Sequence, residues 1–232
     1  MTASASAKAG DLPQQLAQVL GAGAVRSDAD SLDFFAHDVF AQGARALCVV
    51  RPDSIAALQA AVRTCAAAGV AMVPRGGGAS YTDGYLTNRP HVLFDLSALD
   101  FIEIDAANAM VRVGAGTTWA ALKAALDPLG LRTPFWGPFS GIAASVGGSV
   151  SQNTISHGSG AHGISAQSVL GIEVVLADGT LLNTAASRAT RHYGPDLTGL
   201  FTGDCGALGL KAALRSCQVK SHRTRYAPSG RI

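Results

Sequence analysis

The stretch VPRGGGASYTDG, residues 73–84, sets three consecutive glycines behind an arginine and follows them with small and hydroxyl side chains. Glycine in that number lets the backbone turn through positive φ and lets a ligand come close to main-chain N–H groups. Successive N–H groups in such a turn form a concavity suited to phosphate. An ordinary surface loop uses the same residues, so the stretch has to be read with its neighbours.

Upstream, ALCVV (46–50) is a short apolar run of strand type. Asp53 or Ser54 then caps a helix whose apolar positions Ile55, Leu58, Val62 and Cys65 share one face, and Gly69 ends it. VAMV (70–73) follows as a second strand. A strand–helix–strand unit therefore delivers the chain into the glycine loop, at a strand end where binding features gather. A short helix over Asp11 to Leu20, with Asp11 as cap and Pro13 in its first turn, precedes the unit.

The bulk properties narrow the function classes. A chain of 232 residues has length for a real core. It is 48% hydrophobic with mean hydropathy +0.24, much of that from alanine, and no uninterrupted apolar run reaches bilayer length. Residues 1–10 carry no apolar segment of secretory type, so a cytoplasmic location is expected. Cys48, Cys65, Cys205 and Cys217 lie far apart without a CxxC pair, which predicts neither a metal site nor a disulfide framework. Six Lys and Arg and no acid occur from Lys211 to Ile232, so the chain before them is mildly acidic despite a net charge of +2. Nucleic acid is not an expected partner, and 211–232 reads as a solvated, disordered basic tail.

Downstream of the loop, HVLFDL (91–96), FIEID (101–105) and MVRVGAG (110–116) read as strands. Thr117 or Thr118 caps a helix that puts Trp119, Leu122 and Leu126 on one face. SVLGIEVVLADGTLL (168–182) is a hairpin about an Ala-Asp-Gly-Thr turn, and Pro195 with Asp196 begins a last short helix. Between these lies PFSGIAASVGGSVSQNTISHGSGAHG (138–163), small and amide-rich, within a span from Asp127 to Glu173 that has no intervening carboxylate. A loop that long is either functional or a flexible linker. An acid-free surface exposing N–H groups suits phosphate, with the start of a helix after Gly147-Gly148 as one possible element. The class is α+β.

In this order, the pieces resemble the FAD-binding domain of the vanillyl-alcohol oxidase and p-cresol methylhydroxylase (PCMH) superfamily, in its glycolate- and D-lactate-dehydrogenase-like branch. PRGGGASYTDG (74–84) resembles the pyrophosphate loop, and VGAGTTWAALKAALDPLGL (113–131) the segment leading toward the flavin. Pro138 and the SVGGSVSQNT segment match the spacing of the second cofactor loop. LGIEVVLADGTLL (170–182) resembles the hairpin that meets adenine, and FTGDCGALG (201–209) the Gly-rich turn near the domain's end. The likeness covers about Arg45 to Leu210. It implies a PCMH-type fold with FAD between two α+β subdomains, about 45–105 and 106–210, behind an N-terminal lead-in, 1–44.

Carried over by position, Pro74, Arg75, Gly76, Gly77, Gly78, Ala79 and Ser80 would hold the diphosphate through backbone amides, with side-chain contacts from Ser80 and Tyr81. Pro138, Gly147, Gly148, Ser151 and Asn153 would line the ribityl and isoalloxazine end. His157, Gly158, His162 and Gly163 would complete the second loop, and Val174 would present backbone to adenine. Arg75 reads equally as a surface cation, and the two histidines as hydrogen-bonders rather than catalysts. Relatives with histidine-linked flavin carry His where this chain has Ala79, which implies noncovalent FAD. Full-length relatives oxidise 2-hydroxy acids by hydride transfer to FAD, using a C-terminal substrate domain that is not recognisable after Leu210. No catalytic residue is assigned. The expectation is an FAD-dependent oxidoreductase of a small-molecule substrate that is poorly active alone. The alternatives are an FAD carrier or electron-transfer subunit with a partner chain for substrate, and a non-redox nucleotide-binding module.

Overall fold

A computed structural model describes residues 11–134, 137–138, 140–185, 195–217 and 219–220. Two sheets organise them. The first has the order β1 (Val25–Arg26), β2 (Cys48–Val50), β4 (His91–Asp95), β3 (Ala71–Arg75). β4 runs parallel to both β2 and β3, and β1 is antiparallel to β2. Every residue of β4 is buried, as a central strand covered on both faces requires. β3 is an edge strand, where Pro74 removes no ladder donor that an inner strand would need.

Helices α1 (Leu12–Leu20) and α3 (Ile55–Ala68) cover one face. The Ser54 hydroxyl caps α3 by accepting from the Ala57 N–H, and Gly69 closes it in the left-handed region. Leu12, Leu16, Leu58, Val62 and Cys65 meet Cys48, Val50, Val92 and Phe94 in a dry core. Each large side chain there contributes about 1.5–3 kcal/mol by burial. The other face packs Val49 and Leu93 against Phe35 of α2 (Ala29–Phe35). The first described residues are thus structural: α1 fills the core, and β1 extends the sheet through Val25 opposite Val50. The expectation of a separate lead-in over 1–44 is corrected for 11–44.

The second sheet is antiparallel, in the order β5 (Ile102–Asp105), β6 (Met110–Gly114), β10 (Leu210–Cys217), β8 (Val169–Val175), β9 (Leu181–Asn183). β5 belongs to it, so the chain passes from one sheet to the other between Asp95 and Ile102, slightly before the expected boundary near 105. α4 (Trp119–Leu126) and α5 (Val146–Ser151) pack Trp119, Leu122, Leu126, Val146 and Val150 onto Val113, Ile172 and Leu214. A minor pair joins β7 (Leu131–Arg132) to β11 (Val219–Lys220).

The basic tail is corrected as well. Residues 210–217 form the middle strand of the second sheet, with Leu210, Lys211, Ala212, Ala213 and Leu214 all buried. Residues 221–232 lie outside the described residues. The two halves meet through Val175, Leu210 and Ala212, which share the first core, and through Gln59 Nε2, which donates to the Gly179 carbonyl at 2.9 Å. Among the described residues no helix is long and apolar enough to cross a membrane.

Candidate cofactor cleft

Three loops from the two halves enclose a cleft of about 210 Å³. The first is the glycine stretch after β3. Tyr85 Oη lies within hydrogen-bonding distance of the Gly78 carbonyl (3.1 Å) and the His37 carbonyl (3.0 Å). Ser80 Oγ accepts from the N–H groups of Thr82 and Gly84, both at 3.2 Å. Asp38 Oδ2 accepts from Asp83 N–H at 3.0 Å, and backbone donors from Ala41, Phe40 and Asp83 hold its carboxyl below the ordinary 3.8. The loop is thereby fixed before any ligand arrives.

The second loop is hung on the end of β6 and the start of α4. Val146 N–H donates to the Thr117 carbonyl at 2.8 Å, and Gly147 N–H to the Ala115 carbonyl at 2.9 Å. Ser145 Oγ accepts from Gly148 N–H at 3.2 Å, and Trp119 Nε1 donates to Ser149 Oγ at 2.7 Å. α5 begins at Val146, so Gly147 and Gly148 form its first turn rather than preceding it. The two loops touch: a Cβ on Gly76 would stand 2.1 Å from Ser145 Oγ, and one on Gly77 1.6 Å from the Ala143 carbonyl oxygen. Only glycine permits that approach.

The third wall is the turn from the short helix Leu197–Leu200 into β10. Its backbone is tied to the second loop by Gly203 N–H to the Val150 carbonyl (3.0 Å) and Cys205 N–H to the Ser151 carbonyl (2.9 Å). Asp204 accepts from the N–H groups of Gly206 and Leu208 and from Lys211 Nζ at 2.5 Å, with both charged side chains 3% exposed. Burial pushes the Lys211 ammonium below the usual lysine value, and the Asp204 carboxylate opposes that shift.

Pro74, Gly76, Gly77, Gly78, Ala79, Ser80 and Tyr81 from the first predicted set, with Pro138, Gly147, Gly148 and Ser151 from the second, all line this cleft. Seven predicted residues do not. The Arg75 guanidinium lies over the rings of Phe35 (4.7 Å to the centroid), Phe34 and Tyr85 (both 5.4 Å), and its Nε is buried without a hydrogen-bond partner. It is neither a surface cation nor a cleft residue. Asn153 is in the left-handed region, and its Oδ1 accepts from Ala166 N–H at 3.2 Å. His157 and His162 are exposed, the latter 3.3 Å from Arg132 through Nε2. Gly158 and Gly163 flank the short helix α6 (Ser159–His162). Val174 is fully buried, paired with Lys211 on one side and Leu182 on the other.

Sequence reasoning passed over Tyr85, Ser145, Gln152, Cys205 and Lys211, which line the cleft too. A signal existed for Cys205 in its Gly-rich turn, and none for Lys211, which looked like one more cation of the tail. No Asp, Glu, Arg or His lines the cleft among the described residues, and Lys211 is its one formally charged side chain. Nor do the described residues group three or more His, Cys, Asp or Glu in a way that could hold a metal ion.

Comparison with known proteins fits this geometry. The family described as "FAD binding domain" matches residues 46–185. Over 188 residues the chain is 30% identical to the glycolate oxidase subunit GlcD of Escherichia coli (strain K12), covering 80% of this chain and 37% of that protein. It is 28% identical to the D-lactate dehydrogenase of Archaeoglobus fulgidus, covering 82% and 43% respectively. Substrate-bound p-cresol methylhydroxylase superposes with a TM-score of 0.80 at 19% identity, over 95% of this chain and 44% of that one. In each case the chain spans less than half of the relative's length.

Proposed function

The chain belongs to the FAD binding domain family, one of flavin-dependent oxidoreductases, and we propose that it holds FAD noncovalently in the cleft between its two sheets. The observation that carries the reading is the direct contact of two glycine loops, Gly76–Gly77 against Ala143–Ser145, on one cavity that no carboxylate lines among the described residues. Their small residues leave backbone amides near the ligand surface, and among the described residues no carboxylate in the cleft repels phosphate. The residues present fit an extended dinucleotide. Gly76, Gly77, Gly78 and Ser80 would hold its diphosphate, and Pro138, Gly147, Gly148 and Ser151 its flavin end. Bound FAD supplies the capacity to accept a hydride; the protein contributes position, exclusion of water and electrostatics.

Noncovalent attachment is supported by Ala79, whose methyl side chain offers no nucleophile at that position of the first loop. Cys205 is the thiol facing the same cavity. Acid precipitation of the yellow protein tests the point: flavin released to the supernatant is the expected result, and flavin retained on the polypeptide overturns it.

The substrate we propose is a small 2-hydroxy acid, in line with the relatives named for glycolate and D-lactate. The base and carboxylate-binding groups that such an oxidation needs would come from outside the described residues, since among these no Asp, Glu, His or Arg lines the cleft and its one cation, Lys211, is paired with Asp204. Phe40, Ile142 and Ile155 stand 83%, 85% and 78% exposed, apolar surface suited to burial by a substrate domain or a partner chain. Purified chain reconstituted with FAD should therefore show flavin absorbance yet oxidise D-lactate and glycolate poorly by itself. Rapid turnover of either acid would overturn that part of the proposal.

A further inference from the structure

Lys211 occupies a place that the domain's general plan does not explain. An ammonium lies buried in the central strand of a sheet, beside a cleft otherwise free of formal charge among the described residues. Burying it costs several kcal/mol unless it is paired and hydrogen-bonded. Asp204 supplies the pairing. Yet Lys211 lines the cavity among the described residues and Asp204 does not, so the cationic member of the pair is the one beside the space.

The backbone explains the aim. Lys211 pairs with Val174 and Ala213 with Glu173, so β10 carries one extra residue, Ala212, against β8. Such a bulge re-aims side chains next to binding sites. An ammonium has three N–H donors, and Asp204 takes one in the structure. Two further donors remain on a residue that lines the cavity.

Resting on the FAD reading above, we propose that Lys211 is the charge-bearing recognition residue for the cofactor's diphosphate, complementing the neutral amides of the glycine loop. The pair acts as a preset clamp. Asp204 fixes the turn through Gly206 and Leu208 and at the same time orients Lys211, so little side-chain freedom is lost when the anion binds. Selectivity follows: a flavin without phosphate gains nothing from Lys211.

The test is fluorescence titration of apo-protein with FAD and with riboflavin, at low and raised sodium chloride, for the unaltered protein, Lys211→Met, Lys211→Arg and the double variant Lys211→Met/Asp204→Asn. The double variant removes both charges without leaving a buried carboxylate unpaired. Loss of one charge-assisted contact should weaken FAD about 10- to 100-fold. Riboflavin binding should be unchanged, the salt dependence of FAD binding should flatten, and Lys211→Arg should keep most of the affinity. Equal losses for both flavins, or FAD binding by the methionine variants as tight as by the unaltered protein, would overturn the assignment. Should the variants fail to fold, FAD affinity in the unaltered protein that does not respond to salt would overturn it equally. An unaltered protein that binds neither flavin would sink the FAD reading itself, a result distinct from either of these.

Discussion

The α-carbon of Gly77 lies against the carbonyl oxygen of Ala143, so close that a methyl group on Gly77 would stand 1.6 Å from that oxygen. The obstacle is main chain, which cannot rotate away, so Gly77→Ala must separate the two loops. The expected cost is about 1–3 kcal/mol of stability, with FAD affinity falling at least about tenfold. Gly23→Ala is the control: nothing lies within 4 Å of its Cβ, and its stability should stay within about 0.5 kcal/mol. Thermal unfolding with flavin titration reads both variants. Normal flavin binding by Gly77→Ala would mean that the loops do not meet in solution.

Arg75 supports the glycine loop from behind. Its guanidinium is held by three rings, and Tyr85, one of the three, lies within hydrogen-bonding distance of the Gly78 carbonyl. Arg75→Met keeps much of the length and removes the cation, for an expected loss of about 1–2 kcal/mol. Lysine should restore little of it, because a compact ammonium does not stack as a planar guanidinium does. Chemical denaturation of the two variants measures this, and a stability equal to the parent's in Arg75→Met would show that the cation contributes nothing there.

These two residues mark how far the sequence could be read. Three glycines in a row at a strand end announce close approach to backbone, and the structure provides the partner that requires it. The period-two strands, the Ser54 and Thr118 caps and the Asp178-Gly179 turn were legible because each depends on neighbours in sequence. Arg75 was not legible, since its partners Phe34 and Phe35 lie some forty positions away and ring stacking leaves no local pattern. Lys211 and Arg215 concealed a central strand for a related reason. A charge counts as a sign of solvent until its buried counterion is known, and Asp204 sits in a turn that looked self-contained. The second loop was legible as a unit, but not where it leaves the cleft, which is why Asn153, His157 and His162 fall outside.

Acid should loosen the first loop through Asp38. Its carboxyl accepts backbone hydrogen bonds from Ala41, Phe40 and Asp83, and these hold its folded value below the ordinary 3.8. A depressed value means that the stabilisation is complete above the unfolded value and is lost as pH falls through the folded one. Between about pH 4 and pH 2, the unaltered protein should therefore lose melting temperature more steeply than Asp38→Asn, whose amide does not titrate. Parallel slopes for the two proteins would remove Asp38 from the account of acid sensitivity.

The cysteines offer a chemical map of the cleft. Burial pushes the thiols of Cys48 and Cys65 up to about 11 and about 12, and both side chains lie in the first core. At pH 8 neither supplies appreciable thiolate or is reachable, so alkylation there must wait for unfolding. Cys205 is exposed and lines the cavity. Iodoacetamide followed by peptide mass spectrometry should find Cys205 modified first, with Cys48 and Cys65 silent until denaturant is added. FAD should slow the modification of Cys205 while leaving the two buried thiols unaffected, since the ligand covers the cavity and not the core. Cys205 labelling at the same rate with and without saturating FAD would place the flavin away from the third wall, and Lys211, two strand-ward steps beyond Gly209, would then lose its proposed contact.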